Sequence, residues 1–295
     1  MNSPEKRNEI EKRQPVSVVI PYFNQRADLV RCLNSLKREL TAGDEIIVVD
    51  DASTEAPDLA ASANLPVRLV RHPHNKGPSK ARNTGVELAR NPLIAFMDAD
   101  DICLPNRIPA QVAFLSLHPN FFGCVGDYYF ERHQNFGHAK VMHDRLPEEV
   151  RRQLLCGRIF AAGSTLMVHK SQFLAIGGYD CNLRVYEDWD LLLRALRQSE
   201  IGHCGELVAD ILSSTRAADR DRRLSVLSTL KQRHMESYEG HEKRLFQQAL
   251  AYEKASAYLR AHNAFYGIAA LLEAFRIAPN VFLTRFMGRV LFGRT

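Results

Sequence analysis

Short apolar runs alternate with amphipathic stretches along the N-terminal part of the chain. The runs that are typical of buried strands are residues 16–20, 46–49, 67–70 and 93–97, of which 46–49 and 93–97 are entirely apolar. Pro21 is expected to end the first strand. Helical spacing of apolar residues predicts helices at 27–38 and 79–89, the second capped by Ser79, and a shorter one at 57–63. This alternation predicts an α/β domain with a mainly parallel sheet covered by helices on both faces.

Further along, the pattern predicts a helix from Pro105 and a strand at 163–168. An amphipathic helix is expected at 187–197, after a turn at Gly177–Asp180. From residue 219 to 291 the pattern is almost entirely helical, so we divide the chain into a domain at 15–218 and a helical extension at 219–295.

The run at 93–97 leads directly into Asp98, Asp100 and Asp101. Open α/β sheets bind their ligands at such strand ends. In extended backbone, side chains two residues apart point the same way, so Asp98 and Asp100 would repel each other unless a cation lies between them. The pair therefore predicts a site for Mg²⁺ or Mn²⁺, which would also accept phosphate oxygens. The alternative is an acidic helix start in which Asp101 is a cap.

A second acidic pair, Asp50 and Asp51, follows the run at 46–49. A carboxylate at this position can accept a hydrogen bond from the imide of a uracil or from a ribose hydroxyl, which indicates nucleoside recognition. A pair of capping residues is the alternative. The chain has neither a G-x-G-x-x-G fingerprint nor a G-x-x-x-x-G-K-[ST] loop, so a metal and basic side chains would have to balance phosphate charge.

The composition excludes several classes of protein. The chain of 295 residues has a formal net charge of +5, without the Lys/Arg blocks of nucleic-acid-binding proteins. Its six cysteines are scattered and form no C-x-x-C pair, which is typical of reduced thiols. The polar residues 1–14 indicate no secretory signal, and no apolar run reaches the ~18 residues of a membrane span. We therefore expect a cytoplasmic protein.

The last residues add a hypothesis about membranes. Residues 281–295 combine apolar side chains with Arg285, Arg289 and Arg294 and contain no acid. Basic amphipathic helices can lie on anionic membranes, so peripheral contact with the inner face of the membrane is one interpretation. An ordinary packed terminal helix is the other. Residues 264–279 also resemble the second half of a tetratricopeptide-type hairpin, which would have to pack on a neighbour.

Five segments occur in a fixed order, namely 16–24, 47–53, 75–85, 96–101 and 177–191. In order and spacing they resemble family 2 glycosyltransferases over about residues 15–215. The resemblance implies a GT-A fold, Rossmann-like in its sheet, a nucleotide-diphosphate sugar donor, with UDP favoured, and a divalent metal. It also implies transfer with inversion to a hydroxyl of a glycan or lipid-linked glycan, as in polysaccharide biosynthesis.

The resemblance also assigns roles to residues. Donor binding is expected from Pro21, Tyr22, Phe23, Asp50, Asp51, Lys76, Lys80, Arg82, Asp98, Ala99 and Asp100. Asp98 and Asp100 would hold the metal. Asp188, with Glu187 beside it, matches the motif that supplies the catalytic base. Gly178, Tyr179 and Trp189 would lie on the acceptor side, and Arg216 would face phosphate, although the histidine that relatives carry two residues later is missing.

Physical chemistry gives the base assignment independent support, since a partly buried carboxylate with a raised pKa can accept a proton from a hydroxyl. The alternative is that Glu187 and Asp188 only match the dipole of their helix. Two other functions were weighed. A nucleotidyltransferase would be expected to carry a glycine-rich loop after the first strand, where residues 21–25 have no glycine. A degenerate binding module would keep the fold without turnover.

Overall fold

The computed structural model describes the chain in seven stretches, residues 13–59, 64–130, 138–140, 142, 145–157, 162–212 and 219–283. The chain forms two compact units. The first contains residues 1–150 and 161–214, and the second contains residues 151–160 and 215–295. The domain boundary that we drew at residue 218 lies close to this division, but residues 151–160 go with the helical unit. The sequence pattern did not separate that segment.

The first unit is built on a single sheet, which has nine strands within the described residues. In chain order the strands are β1 (Val16–Tyr22), β2 (Glu45–Asp50), β3 (Val67–Arg71), β4 (Leu93–Phe96), β5 (Ile102–Cys103), β6 (Gly123–Phe130), β7 (His138–Lys140), β8 (Met167–His169) and β9 (Ile201–Ile211). Their order across the sheet is β3-β2-β1-β4-β8-β6-β9-β5, with β7 paired to β6. The strands β3, β2, β1 and β4 are mutually parallel. Beyond β4 the sheet is mixed, because β8 pairs in the antiparallel sense with both β4 and β6.

The predicted α/β class is thus confirmed. The parallel arrangement is confined largely to β3, β2, β1 and β4, the strands that the sequence pattern predicted. The Val- and Ile-rich strands β1 and β2 are buried along their whole length. This burial is expected for central strands that are covered by helices on both faces.

The helices of the first unit are α1 (Arg26–Leu36), α2 (Pro78–Leu88), α3 (Arg107–Leu117), the start of α4 (Pro147–Leu155), α5 (Ala162–Thr165), α6 (Lys170–Ala175) and α7 (Glu187–Ala195). Several predictions about local structure were wrong. Residues 57–59 are not helical, and 60–63 lie outside the described residues. The N-cap of α2 is Gly77 and not Ser79. The strand predicted at 163–168 is split into the short helix α5 and the strand β8.

Pro21 does not end β1 as we expected, because the strand continues to Tyr22. The carbonyl of Val19 accepts from Met97 on the β4 side, whereas that of Tyr22 accepts from Asp51 on the β2 side. Alternate residues of a strand face opposite neighbours, so the ring nitrogen of Pro21 faces the β4 side. Pairing with β4 ends at Val19, and the missing N–H therefore costs no ladder hydrogen bond.

The second unit is helical, as predicted, within its described residues. It contains α8 (Arg220–His234), a 3₁₀ turn (Met235–Ser237), α9 (Gly240–Arg260) and α10 (Ala264–Ile277). The last two form a hairpin through a short connection. No helix of the described residues is long and apolar enough to cross a membrane. Residues 284–295, the main part of the predicted basic terminal helix, lie outside the described residues.

Candidate functional site

The acidic strand ends meet at one edge of the sheet because β2, β1 and β4 are parallel neighbours. The N–H of Asp51 donates to the carbonyl of Tyr22 at 2.9 Å, and that of Met97 donates to Val19 at 3.1 Å. The residues that follow these strands, Asp51 and Asp98, therefore leave the sheet at the same edge. This is the edge at which open α/β sheets bind ligands.

Asp51 does not present a free carboxylate to a nucleoside base. Its Oδ1 accepts from the N–H of Lys76 at 2.8 Å, and its Oδ2 accepts from the N–H of Gly77 at 2.7 Å. His72 Nδ1 lies 2.7 Å from the same Oδ1, while the other ring nitrogen lies 3.0 Å from Thr84 Oγ1. Asp51 thus organises the loop before α2, and its direct contact with the donor base stays a prediction.

Asp50 is also withdrawn from solvent, because its side chain has no exposed surface. Oδ1 accepts from the N–H of Ser53 at 2.9 Å, as the capping alternative predicted. Oδ2 lies 3.3 Å from Arg71 Nη1. Of the residues predicted around the donor base, the partly exposed Phe23 remains the accessible one, since Pro21 and Tyr22 are buried.

The turn after β4 is fixed by Ser164, a residue that the sequence reasoning missed. The hydroxyl of Ser164 accepts from the N–H of Asp98 at 3.0 Å and donates to Oδ2 of Asp101. Oδ1 of Asp101 accepts from the N–H of Leu212 at 2.8 Å, so this acid is structural. Burial and the charge of Asp98 raise the pKa of Asp101 well above its usual range. Ala99 is buried within the turn, and Asp98 and Asp100 are the partly exposed acids.

Arg82, which the resemblance assigned to donor binding, is buried and contacts two of the acids. This buried residue of α2 donates from Nη2 to Asp98 Oδ1 at 2.6 Å, and its Nη1 lies 3.9 Å from Glu187 Oε1. Its Cζ lies 5.2 Å from the centre of the Tyr179 ring. Burial lowers the pKa of Arg82, but the surrounding carboxylates outweigh it and the net pKa is raised well above the ordinary value. Arg82 thus links the Asp98 turn to the start of α7.

Asp188 has the properties of a base at neutral pH. Burial raises its pKa to about 7, with Arg82 opposing and the charges of Glu187 and Asp98 adding to the rise. The residue as a whole is half-buried, but its Oδ1 has no solvent contact and no hydrogen-bond partner among the described residues. The hydroxyl of Tyr179 is buried next to Asp188. Burial, the charge of Asp188 and a hydrogen-bond interaction with it raise the pKa of Tyr179 well above its usual range, and the same interaction lowers the pKa of Asp188.

The turn that carries Gly178 and Tyr179 is clamped from two sides. Asn83 of α2 donates to the carbonyl of Tyr179 at 2.8 Å and accepts from its N–H at 2.9 Å. Arg194 of α7 donates to the carbonyls of Ile176 at 2.7 Å and Gly178 at 2.7 Å. Sequence reasoning missed both clamping residues, although Asn83 lies in segment 75–85, which contributes to the family resemblance.

Two residues expected on the acceptor side are in the core. Trp189 is 0% exposed, so its indole is not available to an acceptor. Tyr179 is buried as well, with its ring centre 5.5 Å from that of Phe96 and 5.7 Å from that of Phe173. Both side chains therefore pack in the core next to the site.

The predicted basic residues differ in their surroundings. Lys80 is paired with Glu87 at 3.6 Å, and Lys76 is half-buried in the loop before α2. Arg216 lies outside the described residues.

Asp98 and Asp100 are suited to hold a cation that binds together with the phosphates of a donor. No group of three or more His, Cys, Asp or Glu side chains in the described ranges is arranged to hold a metal by itself. Mg²⁺ commonly takes one or two carboxylates and completes its shell with phosphates and water. Burial and the charge of Asp98 raise the pKa of Asp100, which is a repulsion that a cation would relieve. Arg82 occupies Oδ1 of Asp98, so Oδ2 would be the oxygen left for the cation.

Comparison with known proteins identifies the family. A family model, Glycosyl transferase family 2, matches residues 17–174, which is more than half of the chain. The chain belongs to glycosyl transferase family 2. The family that its motifs predicted is therefore confirmed.

Relatives of this glycosyltransferase cover much of the chain. It is 30% identical over 209 residues to the amylovoran biosynthesis glycosyltransferase AmsE of Erwinia amylovora, covering 68% of this chain and 76% of that protein. It is 29% identical over 185 residues to an uncharacterized glycosyltransferase of Haemophilus influenzae, covering 62% of each.

The solved structure of S. aureus TarS 1-349 in complex with UDP-GlcNAc is similar in fold. Its TM-score is 0.62 at 17% identity, covering 91% of this chain and 82% of that chain. At this identity the likeness concerns the fold alone. Together with the family match, it confirms the predicted GT-A class.

Proposed function

We propose that this glycosyltransferase moves a sugar from a UDP-linked donor to a hydroxyl of a glycan or lipid-linked glycan, with inversion at the anomeric carbon. The observation that carries the proposal is Asp188, a shielded carboxylate with a pKa of about 7 that Arg82 connects to the Asp98 turn. AmsE is named for the biosynthesis of amylovoran, which supports a glycan product. TarS binds UDP-GlcNAc, which supports a UDP-linked donor.

The proposed chemistry is a single displacement in which Asp188 is the base. The acceptor hydroxyl gives its proton to Asp188 while its oxygen bonds to the anomeric carbon. The bond from that carbon to the diphosphate oxygen breaks on the opposite face, and the electron pair leaves with UDP. A base is most effective when its pKa lies near the working pH, which the surroundings of Asp188 provide.

Arg82 and the Asp98 turn have supporting roles in the proposal. The charge of Arg82 opposes the rise in the pKa of Asp188, so a useful fraction of the carboxylate is ionised near neutral pH. Asp98 and Asp100 would hold Mg²⁺ or Mn²⁺, which when bound neutralises charge on the diphosphate. Phe23 would contact the nucleoside, and Asp51 would hold Lys76 and the loop before α2 in place for it. The reaction would take place in the cytoplasm.

Screening nucleotide sugars for hydrolysis, with and without Mn²⁺, tests the proposal. We expect one UDP-sugar to be hydrolysed slowly by the wild type and to raise its melting temperature. Asp188→Asn should keep the thermal stabilisation by the donor and lose hydrolysis. Binding without turnover for every donor would indicate a binding module and contradict the proposal.

A further inference from the structure

Helix α10 of the second unit carries a row of apolar side chains that are largely exposed within the described residues, although Phe275 also contacts Phe282, with ring centres 5.6 Å apart. Phe265, Ile268, Leu272 and Phe275 are 78%, 54%, 58% and 41% exposed. Their spacing of i, i+3, i+7 and i+10 places them on one side of the helix. We call these four residues the apolar stripe. Single exposed apolar residues are ordinary, but a continuous row of them marks a surface that binds something.

The stripe is not the side by which α10 packs in its own hairpin. That side consists of the small residues Gly267, Ala270 and Ala274, which are buried. A Cβ added at Gly267 would lie 2.5 Å from Cδ2 of Leu259, so the two helices approach closely there. The packing of the two helices in the hairpin therefore does not involve the stripe.

The charges that follow the stripe are all positive. Glu273, the last acid of the chain, lies 3.6 Å from Lys254 and so is largely neutralised. From residue 274 to the end the sequence contains four arginines, no lysine and no acid. Arg276 is in the last turn of α10 itself. An apolar row with Arg276 on the same helix, in a sequence that carries only positive charge from there to residue 295, matches a surface that is apolar inside and negative outside.

Two kinds of occupant need to be compared. A stable interface between two copies of a chain usually takes roughly 20–30 residues from each side, far more than the stripe offers. A lipid surface needs less, because an interfacial helix binds by burying one apolar face at the level of the headgroups while basic residues contact anionic lipid.

We infer that the apolar stripe of α10 docks on the surface of an anionic lipid bilayer. The helix would lie in the plane of the interface and would not cross the membrane. The inference rests on the second unit alone and does not depend on which sugar the first unit transfers. It agrees with a lipid-linked acceptor, which would be held at the same surface.

Flotation of the full-length protein with vesicles tests the inference. Vesicles of phosphatidylcholine alone are compared with vesicles that also contain phosphatidylglycerol. The test variant is Leu272→Asp, and its matched control is Leu117→Asp on α3, which removes a leucine that is 79% exposed outside the stripe. Phe265→Ser is a second test variant at the other end of the stripe. Circular dichroism and UDP binding verify that each variant is folded.

We expect the wild type to float with the anionic vesicles, and less so in high salt. Leu272→Asp and Phe265→Ser should each weaken the binding by about tenfold or more, since each removes one buried apolar side chain. Leu117→Asp should bind like the wild type. The inference is overturned if the wild type ignores anionic vesicles, or if the stripe variants bind as well as it does. It is equally overturned if sedimentation shows an oligomer that Leu272→Asp dissociates. UDP binding, measured without vesicles, reports separately on the proposed function.

Discussion

The raised pKa of Asp188 has a consequence for stability that Asp188→Asn should reveal. The pKa is about 7 in the folded protein and 3.8 for an ordinary aspartate, a difference of about 3 units. Between about pH 4 and pH 7 the folded protein keeps a proton that the unfolded chain has released. The free energy of unfolding therefore falls as the pH rises through this window, by up to 1.36 kcal/mol per unit. Asparagine does not titrate, so the variant avoids this loss.

The size of the effect follows from the shift. Three units correspond to about 4 kcal/mol as an upper limit. Asp188 is half-buried, and water or a small relaxation can stabilise its charge, so we expect about 2 kcal/mol. At roughly 2–4 °C per kcal/mol, the melting temperature of Asp188→Asn relative to the wild type should rise by about 4–8 °C between pH 4.5 and pH 8.

Thermal unfolding of both proteins across this pH range measures the effect. Glu87→Gln, which changes an exposed acid of α2, serves as the control and should follow the wild type at every pH. A difference between Asp188→Asn and the wild type that is constant with pH would refute the reasoning. It would mean that Asp188 is already ionised at acid pH and does not have the environment of a base.

Two further predictions concern the turn of the acceptor side and the acids after β4. Asn83→Ala removes both hydrogen bonds to the backbone of Tyr179, so the turn should lose its fixed position. We expect kcat to fall by tenfold or more while the affinity for UDP changes little, and steady-state kinetics with calorimetry separate the two. Asp100→Ala should abolish the dependence of UDP binding on Mn²⁺, because a carboxylate proposed for the cation is lost. Equal UDP affinity of the wild type with Mn²⁺ and with chelator would contradict this second prediction.

The sequence predicted the part of the fold that depends on local pattern. The apolar runs of β1, β2 and β4 form central strands that are buried on both faces. Their positions could therefore be predicted directly from the sequence. The antiparallel pairing of β8 could not, because it is set by contacts with β4 and β6 that are distant along the chain.

The roles within the site were harder to predict than its position. Asp51 is occupied by backbone N–H groups and by His72, and no residue pattern records such partners. The resemblance assigned Trp189 to the acceptor side. Consecutive residues of a helix lie on different faces, however, and the face that carries Trp189 is buried. The raised pKa of Asp188 depends on burial and on the charges of Glu187 and Asp98, with Arg82 opposing the rise, and both Asp98 and Arg82 are remote from Asp188 in sequence.

The central claim is that Asp188 is the base, and the rate of sugar transfer by Asp188→Asn tests it most directly. With the donor identified by screening, kcat should fall by about 10²–10⁴-fold while donor affinity stays nearly the same. Glu187→Gln is the matched control, because a contribution to the helix dipole alone would give both neighbours similar, mild effects. A near wild-type rate for Asp188→Asn together with an inactive Glu187→Gln would show that the base is Glu187, and full activity of both variants would place the base elsewhere.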